Sequence, residues 1–123
     1  MKKITLLITV FAFILQSHAQ EEIPKELLLS GLNSVAHLKL DNDQVIELIE
    51  YNKGFVDEIY EVLESDKEDK SKKKSMKILS EKRENDLREF LGKHKTNKYL
   101  KLMEDELRPL SRRNHLLKPI IHG

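Results

Sequence analysis

The chain has 123 residues, with 22 lysines and arginines against 21 aspartates and glutamates, and no cysteine. That length describes one domain. The lack of cysteine removes the disulfides on which small secreted domains often rely, and the near-neutral charge argues against a general nucleic-acid binder, which would carry a basic excess. Charged residues make up 35% of the chain and aromatics 6%, a balance that suits long solvated helices better than a sandwich or a barrel.

The chain opens with Lys2 and Lys3, followed by an apolar run over residues 4–15 whose only polar members are Thr5 and Thr9. Ser17 and Ala19 then place small side chains three and one residues before Gln20. A positive start, a short apolar stretch and a small-x-small exit predict a secretory signal peptide over residues 1–19, cleaved before Gln20. The rival reading is a membrane anchor, but a spanning helix needs about 20 apolar residues and this run is much shorter. Cleavage there leaves 104 residues with 20 cationic and 21 acidic side chains, in the periplasm or outside the cell. Without disulfides, stability must come from helix packing, a partner or a dimer.

Residues 20–39 form a lead-in. Pro24 fits the first position of a helix, and Leu27, Leu28 and Leu29 can make a turn or two before Gly31 and Asn33 interrupt. A short helix or an irregular arm is expected. Residues 40–109 form the helical domain, and its start is the clearest signal in the chain. Asp41 is a good N-cap. Gln44 stands where a capping box needs it, and Leu40 and Val45 can close over the box as a hydrophobic staple. An apolar stripe of Val45, Leu48, Ile49, Phe55, Val56, Ile59 and Leu63 follows at helical spacing. Gly54 weakens the stripe by about 1 kcal/mol relative to Ala and marks a candidate bend.

Residues 64–75 contain no apolar side chain and predict a solvated loop or two fraying helix ends. The lysine run at Lys72, Lys73 and Lys74 reads as a solvated face. A second amphipathic helix is expected over residues 72–91, with Met76, Leu79, Leu87, Phe90 and Leu91 on one side and Gly92 as its stop. A third is expected from Thr96 or Asn97, carrying Tyr99, Leu100, Met103 and Leu107, until Pro109 ends or kinks it. The tail, residues 110–123, mixes Arg112, Arg113 and Lys118 with Leu116, Leu117, Ile120 and Ile121. It is expected to fold back or to be disordered, with a basic-apolar anchor as the rival. Nowhere does strand alternation run to a useful length. The fold class is therefore all-α: an antiparallel hairpin of two longer helices with shorter flanking helices.

No catalytic constellation stands out. His37, His94, His115 and His122 lack the spacing of a metal-ligand cluster, so neither metal nor cofactor is expected, and the chain reads as a non-enzyme. Phe55 and Phe90 lie on the stripes and read as core. Tyr51 and Tyr60 lie beside the stripe and, with Tyr99, Arg112 and Arg113, are candidate partner contacts, since tyrosine joins an apolar body to a polar tip.

Leu40-Asp41-x-x-Gln44 resembles the L-T-x-x-Q motif of the Spy/CpxP family of small periplasmic helical proteins, with Asp41 as the cap in place of threonine. The segment Leu91-Gly92-Lys93-His94-Lys95 stands where a second copy would fall, but has neither the threonine nor the glutamine. The resemblance spans roughly residues 38–107. It implies a bent antiparallel helical hairpin, often dimerised into a cradle. It also implies an ATP-independent chaperone or stress-response modulator of the envelope that binds protein clients through mixed apolar and charged surface. The alternative is an accessory protein docking one specific envelope partner. Either way the expected partners are proteins, with no nucleic acid and no membrane span after cleavage, and a homodimer remains open.

Overall fold

The structure, a computed structural model, describes residues 22–122; the predicted signal peptide and its cleavage site lie outside them. It is all-α, with no strand among the described residues. The helices are α1 (Lys25–Leu32), α2 (Asn42–Glu64), α3 (Asp69–Leu91), α4 (Lys93–Arg113) and the short α5 (Lys118–Ile121), the last preceded by a 3₁₀ turn at His115–Leu117. No helix among the described residues is long and apolar enough to cross a membrane.

α2 begins as its sequence dictates. Asp41 is the N-cap in extended backbone and the capping box is formed, with the Asp41 N–H donating to Gln44 Oε1 at 3.1 Å. Gln44 also reaches across the fold. Its Nε2 donates to the Phe90 carbonyl at 3.2 Å, and Lys95 Nζ donates to its Oε1 at 2.9 Å. The start of α2 is thereby tied to the end of α3 and the start of α4, which brings the L-D-x-x-Q segment against the L-G-K-H-K segment. At the far end Lys72 Nζ donates to the Leu63 carbonyl at 2.8 Å, so α2 and α3 run antiparallel. Asp41→Ala is expected to lower stability by about 0.5–2 kcal/mol, the usual range for a lost N-cap. Urea denaturation measures it, and an unchanged midpoint would remove the capping box as a structural determinant.

Helix limits differ from the sequence expectation in three places. α2 passes through Asn52 and Gly54 without interruption, because Asn52 is buried and bonded across the core while Gly54 faces open space. The 12-residue polar stretch contributes only a short connection, since α3 already starts at Asp69 and takes the lysine run into its first turns. α4 starts at Lys93 and continues through Pro109 to Arg113. Proline forfeits one backbone hydrogen bond, but Leu107, Leu110 and Ser111 are buried around it, and that packing holds the helix together. Three long helices thus share the bundle, with α1 on one flank and α5 on another.

The core is one cluster. Leu28 and Leu32 of α1, Leu48 and Ile59 of α2, Met76 and Leu87 of α3, and Tyr99 of α4 are fully buried in it. α1 lies against α2 and α4. Gly31 is the point of closest approach, where a Cβ would collide with Leu107. The tail folds back: Leu116, Leu117, Ile120 and Ile121 are buried, packed against α3 and α4.

Candidate functional site

Polar side chains enter the core at three apolar-register positions. Asn52 follows Leu48 by one turn, Arg83 lies seven residues after Met76 and four before Leu87, and Thr96 precedes Tyr99 by three. That spacing points each of them inward, and all three are buried, Arg83 at 2% exposure. Asn52 and Arg83 converge on Tyr99. Its hydroxyl donates to the Leu32 carbonyl at the end of α1, at 2.6 Å, and accepts from Arg83 Nη2 at 2.8 Å and from Asn52 Nδ2 at 3.3 Å. Asn52 Nδ2 also lies 3.1 Å from the Leu32 carbonyl and 2.9 Å from Asn33 Oδ1. The Arg83 guanidinium is held between two rings, 4.6 Å from the Phe55 centroid and 5.2 Å from that of Tyr99. Burial raises the Tyr99 pKa, and the nearby Arg83 charge opposes the rise.

Arg83 also lines a half-open pocket of about 420 Å³ between α3, α4 and the C-terminal tail. Glu84, Lys101 and Glu104 supply its charged rim, and Leu100, Ile120 and Ile121 its apolar wall. His122 closes one side. Its Nε2 lies 3.0 Å from Ser111 Oγ, which also lies 2.8 Å from the Arg108 carbonyl. Its Nδ1 lies 3.5 Å from Glu104 Oε1. No group of three or more His, Asp or Glu among the described residues is placed to hold a metal ion.

The other notable surface is the outward face of α2. Asp43, Glu47, Glu50, Asp57, Glu58, Glu61 and Glu64 are all exposed, against the single cation Lys53. Ile46 and Ile49 stand exposed beside them, at 64% and 40%.

The candidate contact residues separate. Arg112 and Arg113 are exposed in the last turn of α4, where cations suit the helix dipole. Tyr51 is half-buried: it donates to Asp86 Oδ2 at 2.6 Å and stacks near Phe55 and Phe90. Burial and that hydrogen bond raise its pKa. Tyr60 and Tyr99 are corrections. Both were expected among the contacts and both are interior, at 8% and 0% exposure. Each hydroxyl is engaged by a backbone carbonyl, Ile23 for Tyr60 and Leu32 for Tyr99, so the polar tip that suggested a surface role ties α2 and α4 to the lead-in and to α1. Leu40, Asp41 and Gln44 stand at the start of α2, as described above. Sequence reasoning missed Asn52 and Arg83; their positions on the apolar stripes were the available signal. Comparison with protein families, curated proteins and solved structures finds no match to this chain.

Proposed function

We propose that the chain is a small, non-enzymatic docking protein of the cell envelope that binds one basic protein partner through the outward face of α2. The observation that carries this reading is the make-up of that face: seven exposed carboxylates against one lysine, with Ile46 and Ile49 exposed among them. Apolar side chains set in a field of one charge sign suit a surface that a partner of the opposite sign covers. The envelope address rests on the pattern of residues 1–19. Client holding of the Spy/CpxP kind asks for broader apolar exposure. Among the described residues four large hydrophobics are exposed, Leu27, Ile46, Ile49 and Ile78, while the stripes of the long helices face inward except at Ile49, which the sequence pattern places on the α2 stripe. That contrast favours docking over holding.

The test is a pull-down from envelope extract with the wild type and with the Ile46→Lys/Ile49→Lys variant, which removes the exposed apolar side chains and opposes a basic partner. One stoichiometric partner is expected, released by raised salt because exposed charge pairs are screened, and absent with the variant. The recovered band also shows whether the partner is a second copy of the chain. Light scattering of an unfolded client decides the rival: suppression of aggregation that survives the double substitution would favour the chaperone reading.

A further inference from the structure

We infer that the pocket between α3, α4 and the C-terminal tail binds a small zwitterion, a free amino acid or a dipeptide, with its carboxylate on Arg83 and its ammonium group on Glu104. The first argument is the state of Arg83. A guanidinium carries five N–H donors, yet among the described residues the one hydrogen bond of this side chain goes to the Tyr99 hydroxyl, and its buried Nε has no partner there. No carboxylate pairs with it among the described residues, although the side chain is 98% buried. Ring faces offset part of the cost of burying such a charge. A carboxylate offsets more, because paired, charge-assisted bonds are the strong ones. An anion entering the pocket that Arg83 lines draws the guanidinium toward it.

The second argument is the mixed sign of the rim. Lys101 is exposed beside Arg83's wall and adds to the attraction for a carboxylate. Glu84 and Glu104 repel a simple anion but suit a ligand that also carries a cation. Among the described residues each is held by a solvent-accessible pair, Glu84 with Arg88 at 2.8 Å and Glu104 with the partly exposed His122 at 3.5 Å. Exposed pairs contribute little, so either carboxylate can turn to a ligand ammonium at small cost. The third argument is size and lining. About 420 Å³ lies at the lower end of ordinary small-ligand pockets, and Leu100, Ile120 and Ile121 offer an apolar seat for one aliphatic side chain. The site is built on α3, α4 and the tail, apart from the acidic face of α2, so either reading can fail without the other.

The experiment is an NMR titration of the purified protein, following backbone amides and the Arg83 Nε–H signal, with the common L-amino acids and a set of glycyl dipeptides as probes. At least one probe is expected to shift Arg83 Nε–H together with the Leu100 and Ile120 amides, saturably, below about 1 mM. Its C-terminal amide and its N-acetyl derivative are expected to bind at least about tenfold more weakly, a difference of about 1.4 kcal/mol. Arg83→Met is expected to abolish binding. Should that variant fail to fold, the exposed Glu104→Gln carries the test, weakening the zwitterion about tenfold and leaving its N-acetyl derivative unchanged. No saturable shift from any probe at about 10 mM overturns the proposal, as does equal binding of the amide. An N-acetyl derivative that binds as tightly as the parent would make the site one for simple carboxylates and overturn the zwitterion.

Discussion

Tyr99→Phe is expected to destabilise the fold by about 2–4 kcal/mol, more than any surface change, although it removes a single oxygen. A hydrogen bond to a charged group contributes about 1.5–3 kcal/mol, and the loss is larger where the partner is left buried and unsatisfied. Here the lost hydroxyl accepts from Arg83 and Asn52 and donates to the Leu32 carbonyl. The carbonyl keeps Asn52 Nδ2 as a donor; Arg83 keeps no hydrogen bond among the described residues. Urea denaturation should show the midpoint falling with little change in slope, and a loss below about 1 kcal/mol would mean that Arg83 is held by the rings alone.

Alkaline pH should act on the same group. All three tyrosines have pKa values raised in the folded state, each chiefly by burial. A raised folded pKa means that the native state holds its proton longer than the unfolded chain. The stability so contributed is complete below about pH 10, the unfolded value, and falls as pH rises from there through the folded values. Tyr99→Phe should flatten part of that decline.

Gly92→Ala is expected to cost about 1–3 kcal/mol. Gly92 sits at φ 82° and ψ 162°, a region that is essentially restricted to glycine, and it is the only described residue with positive φ. It closes α3 through its N–H to Arg88 and opens α4 through its carbonyl to Thr96, both at 3.0 Å. A Cβ there meets no neighbouring atom within 4 Å, so the cost is backbone strain and not collision. Thermal unfolding measures it. An unchanged Tm would show that the corner can be made with φ negative.

The parts of the fold that were legible in the sequence are those encoded locally. The capping pattern at Asp41 and Gln44 fixes the start of α2, and Gly92 fixes the end of α3, because both act through backbone groups a few residues away. The extension of α4 through Pro109 was not legible, since it depends on Leu107, Leu110 and the folded-back tail, all of which pack across the bundle. The same holds for the site. Arg83 and Asn52 occupy apolar positions of their stripes, but a polar residue within an amphipathic pattern says nothing about its partner. Arg83 acquires a meaning only when α4 delivers Tyr99 and α2 delivers Phe55 around it. Tyr60 and Tyr99 misled for the corresponding reason. A tyrosine near a stripe looks the same in sequence whether its hydroxyl meets water or a backbone carbonyl.

The formal charge of +1 hides an uneven distribution. α2 carries seven carboxylates against one lysine, whereas α4 carries seven lysines and arginines against three carboxylates. The molecule is therefore an electric dipole more than a neutral particle. At low ionic strength it should adhere to both anion- and cation-exchange resins, each resin selecting a different face. It should also turn in the field of a charged surface before touching it, and lose that orientation once added salt shortens the Debye length to a few ångströms.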